Sequence, residues 1–303
     1  YWYGGLSTLN YQPNDEVSIS GGLDMRHYRG EHYKEVYDLL GGDYAIVNDD
    51  GTQLSSVKRE GDIIGYHNDG IVKWTGIFYQ VEHKNDAIST FCNISASNSA
   101  YKRIDYFRKK DLVLADTTIE EAIGTHTYFG EIVSDTVIVN GTEYTVNSEE
   151  AQYTSTDWKW ISGYTIKSGA NFNLDAYNNV FFNMGYISKA PRFQNVFDYD
   201  NSMFKAIKNE IVKAFEVGYS FRSYSFSSNV NAYYTQWENK PSSGITYLDS
   251  DENLVKGNIN GMDALHKGIE ADWSYKINTK LSIEGLLSLG DWVWTSAETV
   301  RLY

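Results

Sequence analysis

Apolar and polar residues alternate along much of this chain, and strict alternation places every second side chain on one face of a β-strand. Residues 160–174 show the pattern clearly. The apolar set is Trp160, Tyr164, Ile166, Ala170, Phe172 and Leu174, and the polar set is Thr165, Lys167, Asn171 and Asn173. The same period recurs in 17–28, 212–222, 226–237, 265–276 and 281–289. These segments predict strands with one apolar face and one polar face.

The predicted strands are long. They run for roughly 11 to 14 residues, whereas strands of globular sheets usually have about 5 to 6. A strand that crosses a bilayer at a tilt needs roughly 9–11 residues. Segments 71–82 and 179–190 also predict strands, although Trp74, Phe78 and Phe181 put apolar residues on both of their faces. Ten strands in five hairpins account for the chain.

The connections between these strands are of two kinds. Tight turns are predicted at 12–15, 83–86, 175–178, 222–225 and 278–280, and long polar stretches at 27–70, 101–157, 192–211 and 238–264. Short turns at one end and long loops at the other are typical of an outer-membrane β-barrel. A soluble sandwich has turn signals every 8–12 residues instead. The sequence therefore predicts an all-β fold, a partial transmembrane antiparallel β-barrel of about ten strands in an up-and-down meander with long extracellular loops.

Charge follows the same division. The formal net charge is −14, and the stretches 27–70, 101–157 and 238–264 carry all of it between them. The predicted strands and turns are neutral on balance, as expected of a wall in contact with lipid. The excess of acidic residues argues against nucleic acid as a partner, which needs a basic footprint. A single cysteine, Cys92, excludes a disulfide scaffold.

The long stretches contain local signals of their own. Glu31–Leu40 predicts a short amphipathic helix that ends at Gly41-Gly42. Val137–Thr145 predicts a hairpin, because Asn140-Gly141 suits a type I′ turn. Residues 206–214 have a helix-forming composition that runs into the next strand.

Residue types that carry chemistry form no catalytic, cofactor or metal pattern. Glu270 and Asp272 share a strand face with Ser274 and Lys276, which is typical of a hydrated wall. The six histidines lack the tight spacing of metal ligands, and no nucleotide-binding or nucleophile motif occurs. Cys92 falls on an apolar strand face and is predicted to be buried or to face lipid. We expect a protein that is not an enzyme and has no cofactor.

Aromatic residues fall into two groups. Those on the apolar strand faces near the predicted turns suit a membrane-interface girdle, namely Phe172, Tyr219, Phe221, Phe226, Trp273 and Tyr275. Those in the polar stretches are free to contact a ligand. The predicted ligand-binding residues are Tyr28, Tyr33, Tyr128, Phe129, Tyr199 and Trp237.

From about residue 160 onward the chain resembles the barrel of a TonB-dependent outer-membrane receptor, and in particular the Bacteroidetes type. The resemblance is carried by four stretches: Asn183–Phe193 (NMGYISKAPRF), Phe215–Tyr219 (FEVGY), Asn231–Tyr234 (NAYY) and Gly268–Asp272 (GIEAD). The last resembles the family's Gly-hydrophobic-Glu strand start. The half before residue 160 matches the family in architecture alone.

The resemblance implies a plugged barrel of roughly 22 strands, in which 1–303 is part of a single barrel domain and the plug and remaining strands are absent. The start without Met or a signal peptide also leads us to expect a piece of a longer protein. The family's function is ligand-gated active import across the outer membrane of a Gram-negative bacterium. Its implied partners are outer-membrane lipid, the energy-transducing TonB complex acting through the plug, a siderophore, glycan or other small molecule, and a surface lipoprotein.

Two alternatives stay open at this stage. A plugless porin-like channel would share the barrel, and the presence of a plug upstream would distinguish the two. A soluble all-β surface binding module would show the same alternation. Partition of the protein into detergent or into water would distinguish such a module from the receptor and from the porin-like channel.

Overall fold

The computed structural model describes residues 1–47, 57–128, 131–197, 203–204, 207–248 and 254–296. The strands within these ranges are β1 (Trp2–Tyr11), β2 (Val17–Glu35), β3 (Ala45–Ile46), β4 (Val57–Lys58), β5 (Ile63–Lys84), β6 (Ile88–Asp105), β7 (Lys110–Val113), β8 (Thr118–Ile123), β9 (Thr125–Tyr128), β10 (Glu131–Ser134), β11 (Val137–Val139), β12 (Thr142–Tyr144), β13 (Ala151–Gln152), β14 (Lys159–Asn173), β15 (Asn178–Lys189), β16 (Glu210–Arg222), β17 (Phe226–Leu248), β18 (Leu254–Lys276) and β19 (Ser282–Trp294). One 3₁₀ turn, Phe193–Asn195, is also described. Within these ranges no helix is long and apolar enough to cross a membrane.

Ten long strands form one sheet, in the order β1-β2-β5-β6-β14-β15-β16-β17-β18-β19. Each of the long strands lies beside its predecessor, and the sheet is an antiparallel meander. The all-β fold and the ten-stranded up-and-down arrangement are therefore confirmed. In a meander the connections alternate between the two ends of the strands, so the five short turns lie at one end and the long connections at the other.

Each short turn is closed by a side-chain oxygen that accepts backbone N–H groups. The residues are Asn14, Asn85, Asp175, Ser223 and Asn278. Asn and Asp favour such turns because the side chain replaces a backbone acceptor within two or three residues. The turn connections also bond to one another, for example Lys84 N to Glu16 O at 2.8 Å and Arg222 N to Tyr177 O at 2.8 Å. The turns thus form one continuous hydrogen-bonded rim.

The sheet has an apolar face and a polar face, as the alternation predicts. On β18 the apolar face carries Ile269, Trp273 and Tyr275, all exposed. The polar face carries a hydrogen-bonded ladder, in which Asn183 and Asn231 both donate to Glu216 at 3.1 and 2.9 Å. The ladder continues as Ser288 donates to Glu270 and Asn229 donates to Asp272. Cys92 is exposed on the apolar side of β6, beside Ile94.

Two aromatic bands border the apolar face. Near the turns, the rings of Phe172 and Phe182 stack at 6.4 Å and those of Phe221 and Phe226 lie 6.1 Å apart. Nearer the opposite end, Tyr164 and Tyr186 stack at 5.8 Å. Eight residues separate Phe172 from Tyr164 on β14, which corresponds to roughly 26 Å along a strand.

Apolar residues on the polar face explain the two ambiguous segments. The ring of Phe181 occupies the space above Gly218, its partner on β16, where a Cβ would lie 2.3 Å from the ring. Phe78 covers Gly22 in the same way. An aromatic ring laid over a glycine of the neighbouring strand fills a gap that the missing side chain leaves. These rings therefore belong to the polar face without breaking the alternation of the strand opposite.

Several long strands extend beyond their predicted ends. β5 begins at Ile63, where 71 was expected, β2 continues to Glu35, and β17 and β18 extend to Leu248 and from Leu254. The stretches 27–70 and 238–264 are therefore partly strand. Backbone pairing continues beyond the last residue of the apolar alternation, so the alternation underestimates the length of these strands.

The helix predicted over Glu31–Leu40 is wrong. β2 occupies the first half of that segment, and Val36 N still donates to Asp62 O at 2.9 Å. The two glycines mark a turn instead, with Leu40 and Gly41 at positive φ. The helical composition of 206–214 is also overridden, because β16 begins at Glu210; residue 206 itself lies outside the described residues. Pairing with a neighbouring strand outweighs helix propensities of a few tenths of a kcal/mol per residue.

The hairpin predicted over Val137–Thr145 is confirmed. β11 pairs with β12, and Asn140 and Gly141 both have positive φ, at 52° and 80°, as a type I′ turn requires.

The chain divides into two compact units. Unit 1 comprises Tyr1–Tyr3, His27–Lys73 and Ala100–Lys159, and unit 2 comprises Gly4–Arg26, Trp74–Ser99 and Trp160–Tyr303. Unit 1 has a small core of its own between β7, β8 and β13, where Leu112, Ile123 and Ala151 are buried. The long stretch before residue 158 is thus a folded insertion with a hydrophobic core.

Candidate functional site

The six predicted ligand-binding aromatics are distributed over both units, and two of them lie outside the described residues. Phe129 and Tyr199 lie outside the described residues, and Tyr128 ends β9. Tyr28 and Tyr33 lie on opposite faces of β2 in unit 1. Trp237 lies on β17 in unit 2. Two clusters emerge from this distribution, one in each unit.

The cluster in unit 1 is built on period-two positions of adjacent strands, and we refer to Arg29, Glu31, His67, Asp69 and Tyr106 as the Tyr106 cluster. Arg29 and Glu31 share a face of β2, and His67 and Asp69 share a face of β5. Tyr106 directly follows β6 and its N–H donates to the His67 carbonyl at 2.9 Å. The alternation of two paired strands therefore brings four polar side chains to one place.

A buried carboxylate holds this cluster together. Asp69 is 2% exposed, and its Oδ2 accepts from Arg29 Nε at 2.6 Å and from the Tyr106 hydroxyl at 2.9 Å. Hydrogen bonds to the Asp69 carboxylate, and then to Tyr106, raise the pKa of Arg29 above its ordinary value. Burial is the main reason that the pKa of Tyr106 is also raised, with its hydrogen bond to Asp69 second. A buried charge needs such partners, because an unpaired one costs far more than a lost neutral hydrogen bond.

Rings surround the imidazole of the cluster. The His67 ring lies 4.5 Å from that of Tyr106 and 5.9 Å, edge-on, from that of Tyr33. Its Nε2 lies 2.6 Å from Glu31 Oε1. Tyr33 is 45% exposed, so this surface presents an aromatic ring beside charged groups. Tyr28 instead bonds His32 Nε2 through its hydroxyl at 3.1 Å on the other face of β2.

The cluster in unit 2 lies on the polar face, beyond the ladder and away from the short turns. A cavity of about 280 Å³ is lined by Lys189, Ala190, Pro191, Arg192, Gln194, Asn195, Glu210, Trp237, Lys240 and Pro241. Glu210 is buried and is contacted by Lys189 Nζ at 3.4 Å and Lys240 Nζ at 3.7 Å. Lys240 Nζ also lies 3.8 Å from the centre of the Trp237 ring. We refer to this cavity as the Trp237 pocket.

The sequence predicted Trp237 in the second cluster and Tyr33, whose ring lies beside the first, and missed the other residues of both. Tyr33 and Trp237 were predicted as aromatics, whereas Asp69, Tyr106 and Glu210 were not. The alternation of Arg29, Glu31 and Tyr33, and of His67 and Asp69, could have shown that these side chains share strand faces. Both segments were interpreted as loop, and alternation is not read in a loop. Among the described residues no group of His, Cys, Asp and Glu is arranged to hold a metal ion.

We expect Tyr106→Phe to weaken unit 1 by about 1–2 kcal/mol at neutral pH, because it removes one hydrogen bond to a buried carboxylate. Since the folded pKa of Tyr106 is raised, the hydroxyl's stabilisation is complete below the unfolded value of about 10 and is lost as pH rises through the folded value. The difference between wild type and variant should therefore be constant up to about pH 9 and shrink above pH 10.

The measurement is urea unfolding of unit 1 in the whole protein, followed by protease protection of residues 57–73 at several pH values. Tyr37→Phe is the matched control, because Tyr37 is 89% exposed and should show no difference at any pH. A wild-type advantage that persists unchanged at pH 11 would contradict the role given to the Tyr106 hydroxyl.

Comparison with protein-family models finds no match, and comparison with curated protein sequences finds none either. Solved structures do match. The copper transporter OprC is 10% identical over 95% of this chain and 37% of its own, with a TM-score of 0.61. The ferric-catecholate import receptor Fiu from E. coli K12 is 12% identical over 99% and 38%, with a TM-score of 0.55. The FrpB iron transporter from Neisseria meningitidis, F5-1 variant, is 13% identical over 97% and 36%, with a TM-score of 0.54.

At these identities the matches show the fold alone. The chain spans between a third and two fifths of the length of these structures, which are TonB-dependent outer-membrane receptors. Together with the ten-stranded meander, they establish the fold as part of an antiparallel β-barrel. They are transporters or receptors and not enzymes.

Proposed function

We propose that this chain is part of the barrel domain of a TonB-dependent outer-membrane receptor, a ligand-gated importer of a scarce solute. The observation that carries the proposal is the two-faced ten-stranded meander, whose fold is shared with metal transporters and a ferric-catecholate import receptor. In this proposal residues 1–303 lie within one barrel domain, and the plug and further strands belong to the rest of the receptor.

The two faces fit the two environments of such a wall. The exposed apolar face, bordered by aromatic bands, matches the apolar band of outer-membrane barrels, which is about 25 Å tall and flanked by aromatic girdles. The polar face, with its ladder centred on Glu216, suits a water-filled or plugged lumen. The short turns would then face the periplasm and the long connections the cell exterior.

The mechanism is binding followed by gated passage, with no chemical step. The exposed ring of Tyr33 and the Trp237 pocket present groups with which a solute could be captured, and the other predicted aromatics remain ligand-binding predictions. The inner-membrane TonB complex would act on the plug to open a path. The matched structures make an iron chelate or a metal the leading solute class, and a glycan with a surface lipoprotein is the alternative. The Bacteroidetes type rests on the sequence motifs.

The test uses the full receptor that contains this chain. After expression in a Gram-negative host, it should be recovered in the outer membrane, and in planar bilayers it should show no steady ion conductance because a plug closes the barrel. Steady conductance would favour a plugless porin-like channel. Recovery in the soluble fraction would favour a soluble binding module.

A further inference from the structure

The Trp237 pocket contains a donor that has no acceptor. The indole Nε1 of Trp237 is buried and makes no hydrogen bond within the described part of the chain. Buried N–H groups are nearly always paired, with protein or with ordered water, and an exception calls for an explanation. The indole carries a donor and no acceptor. A ligand that completes this site must therefore present an acceptor atom, and the Trp237 ring must move to expose its N–H, which is closed to solvent in this structure.

The charges around that donor also favour a ligand with a negatively charged acceptor group. Three cationic side chains line the pocket, Lys189, Arg192 and Lys240, against the single carboxylate of Glu210. Glu210 is contacted by both lysines, and Arg192 is exposed and has no ion pair within the described residues. The pocket thus keeps a surplus of about two positive charges after Glu210 is neutralised. Arg192 is also the residue best suited to an oxyanion, because its planar guanidinium offers paired donors.

The local fold explains why these groups meet. Lys189 is the last residue of β15 and pairs with Glu210, the first residue of β16. Trp237 pairs with Val212 on the next strand, and Lys240 follows at an irregularity of β17. The Lys189-Ala190-Pro191-Arg192 segment, where the strand ends, lines the same cavity. Three strand positions and one strand end therefore converge on about 280 Å³ of space.

We propose that the Trp237 pocket binds a small oxyanion group, a carboxylate or a phosphate, through Trp237 Nε1 and Arg192. Lys189 and Lys240 supply positive charge beside the anion, and ion pairs with Glu210 hold both lysines in place. This inference rests on the proposed function, because the pocket is taken to be a subsite for the anionic end of the imported solute. A volume of about 280 Å³ corresponds to roughly nine water molecules, which is enough for a small carboxylate and too little for a whole chelate.

The experiment is isothermal titration calorimetry of the full receptor in detergent with citrate and, separately, inorganic phosphate as probes. We expect saturable binding of at least one. Citrate alone would identify a carboxylate site, phosphate alone a phosphate site, and both a general oxyanion site. Arg192→Gln should weaken binding by about tenfold and Trp237→Phe by about three- to tenfold. Lys280→Gln, at a short turn, is the charge-matched control and should leave affinity unchanged.

A third variant separates binding from mere structural support. Glu210→Gln removes the carboxylate that competes for the two lysines, so anion affinity should rise several-fold. A purely structural Glu210 would give weaker binding instead.

The proposal is overturned if neither probe binds at 10 mM, a concentration at which a site of about 1 mM affinity would be mostly filled. It is also overturned if Arg192→Gln and Trp237→Phe bind as wild type does. The same preparations report outer-membrane recovery, so a receptor that is correctly placed but binds no anion overturns this inference alone.

Discussion

Ile269→Arg should destabilise the folded receptor in lipid by roughly 2–4 kcal/mol. Ile269 lies on the apolar face of β18, between Ala232 of β17 and Leu289 of β19, and is 54% exposed. It is seven residues from Lys276, the end of β18 at the turn, which places it roughly 24 Å along the strand from the rim. In the proposed orientation its side chain faces the centre of the bilayer, where an arginine has the largest cost in a barrel wall.

The control is Phe221→Arg on the same face. Phe221 pairs with Asn178, the first residue of β15, and contacts Phe226 at the turn end of the sheet. An arginine there can extend to the interface, so the cost should be about 0–1 kcal/mol. Refolding of the full receptor into lipid vesicles, monitored in urea, measures both. Equal costs at the two depths would contradict the assignment of this face to lipid.

Ile283 shows why the register matters for such a test. From the sequence we expect Ile283, on the same apolar face as Ile269, to lie equally deep in the wall. The structure pairs it with Tyr275 at the second position of β19, close to the turn. Depth depends on where a strand begins relative to its neighbours, and the period of a sequence does not contain that information. Ile283→Arg should therefore resemble Phe221→Arg.

The parts of the fold that the sequence predicted are those with a strong local signal. Alternation located six of the ten long strands, and two more, β5 and β15, were predicted although both of their faces carry apolar residues. Asn14, Asn85 and Asp175 marked the turns because their side chains close them without help from elsewhere. Asn140-Gly141 predicted its hairpin for the same reason, since a type I′ turn needs two residues that tolerate positive φ.

The parts that could not be predicted depend on a neighbouring strand. β2 continues through Glu31–Glu35 because β5 is there to pair with it, although the composition favours a helix. The same extension creates the Tyr106 cluster. Within it, Arg29 and Tyr106 are 77 residues apart in the sequence. The Trp237 pocket also needs the β15–β16 and β16–β17 registers. Both clusters are products of pairing, and pairing between distant segments leaves little trace in one sequence.

Residues 1–303 expressed alone should not give a soluble folded monomer. β1 and β19 stand at the two ends of the sheet order, and their apolar side chains are exposed, among them Trp2 at 64% and Leu286 at 75%. Unpaired edges of long, partly apolar strands are templates for association with other chains. In a bilayer their free N–H and C=O groups would each cost several kcal/mol, which is why walls of this kind close.

The measurement is size-exclusion chromatography of the 1–303 segment in aqueous buffer, with the full receptor in detergent as the control. We expect the segment to elute in the void volume or to precipitate, and the full receptor to elute as a single species with a cooperative melt. The open edges of β1 and β19 cause the aggregation, so joining the segment to the remaining strands should rescue it, whereas lowering the protein concentration should only slow aggregation. A sharp monomer peak with a cooperative melt for the segment would mean that both faces of the sheet tolerate water. That result would remove the basis for placing the apolar face in lipid, and it would favour a soluble binding module.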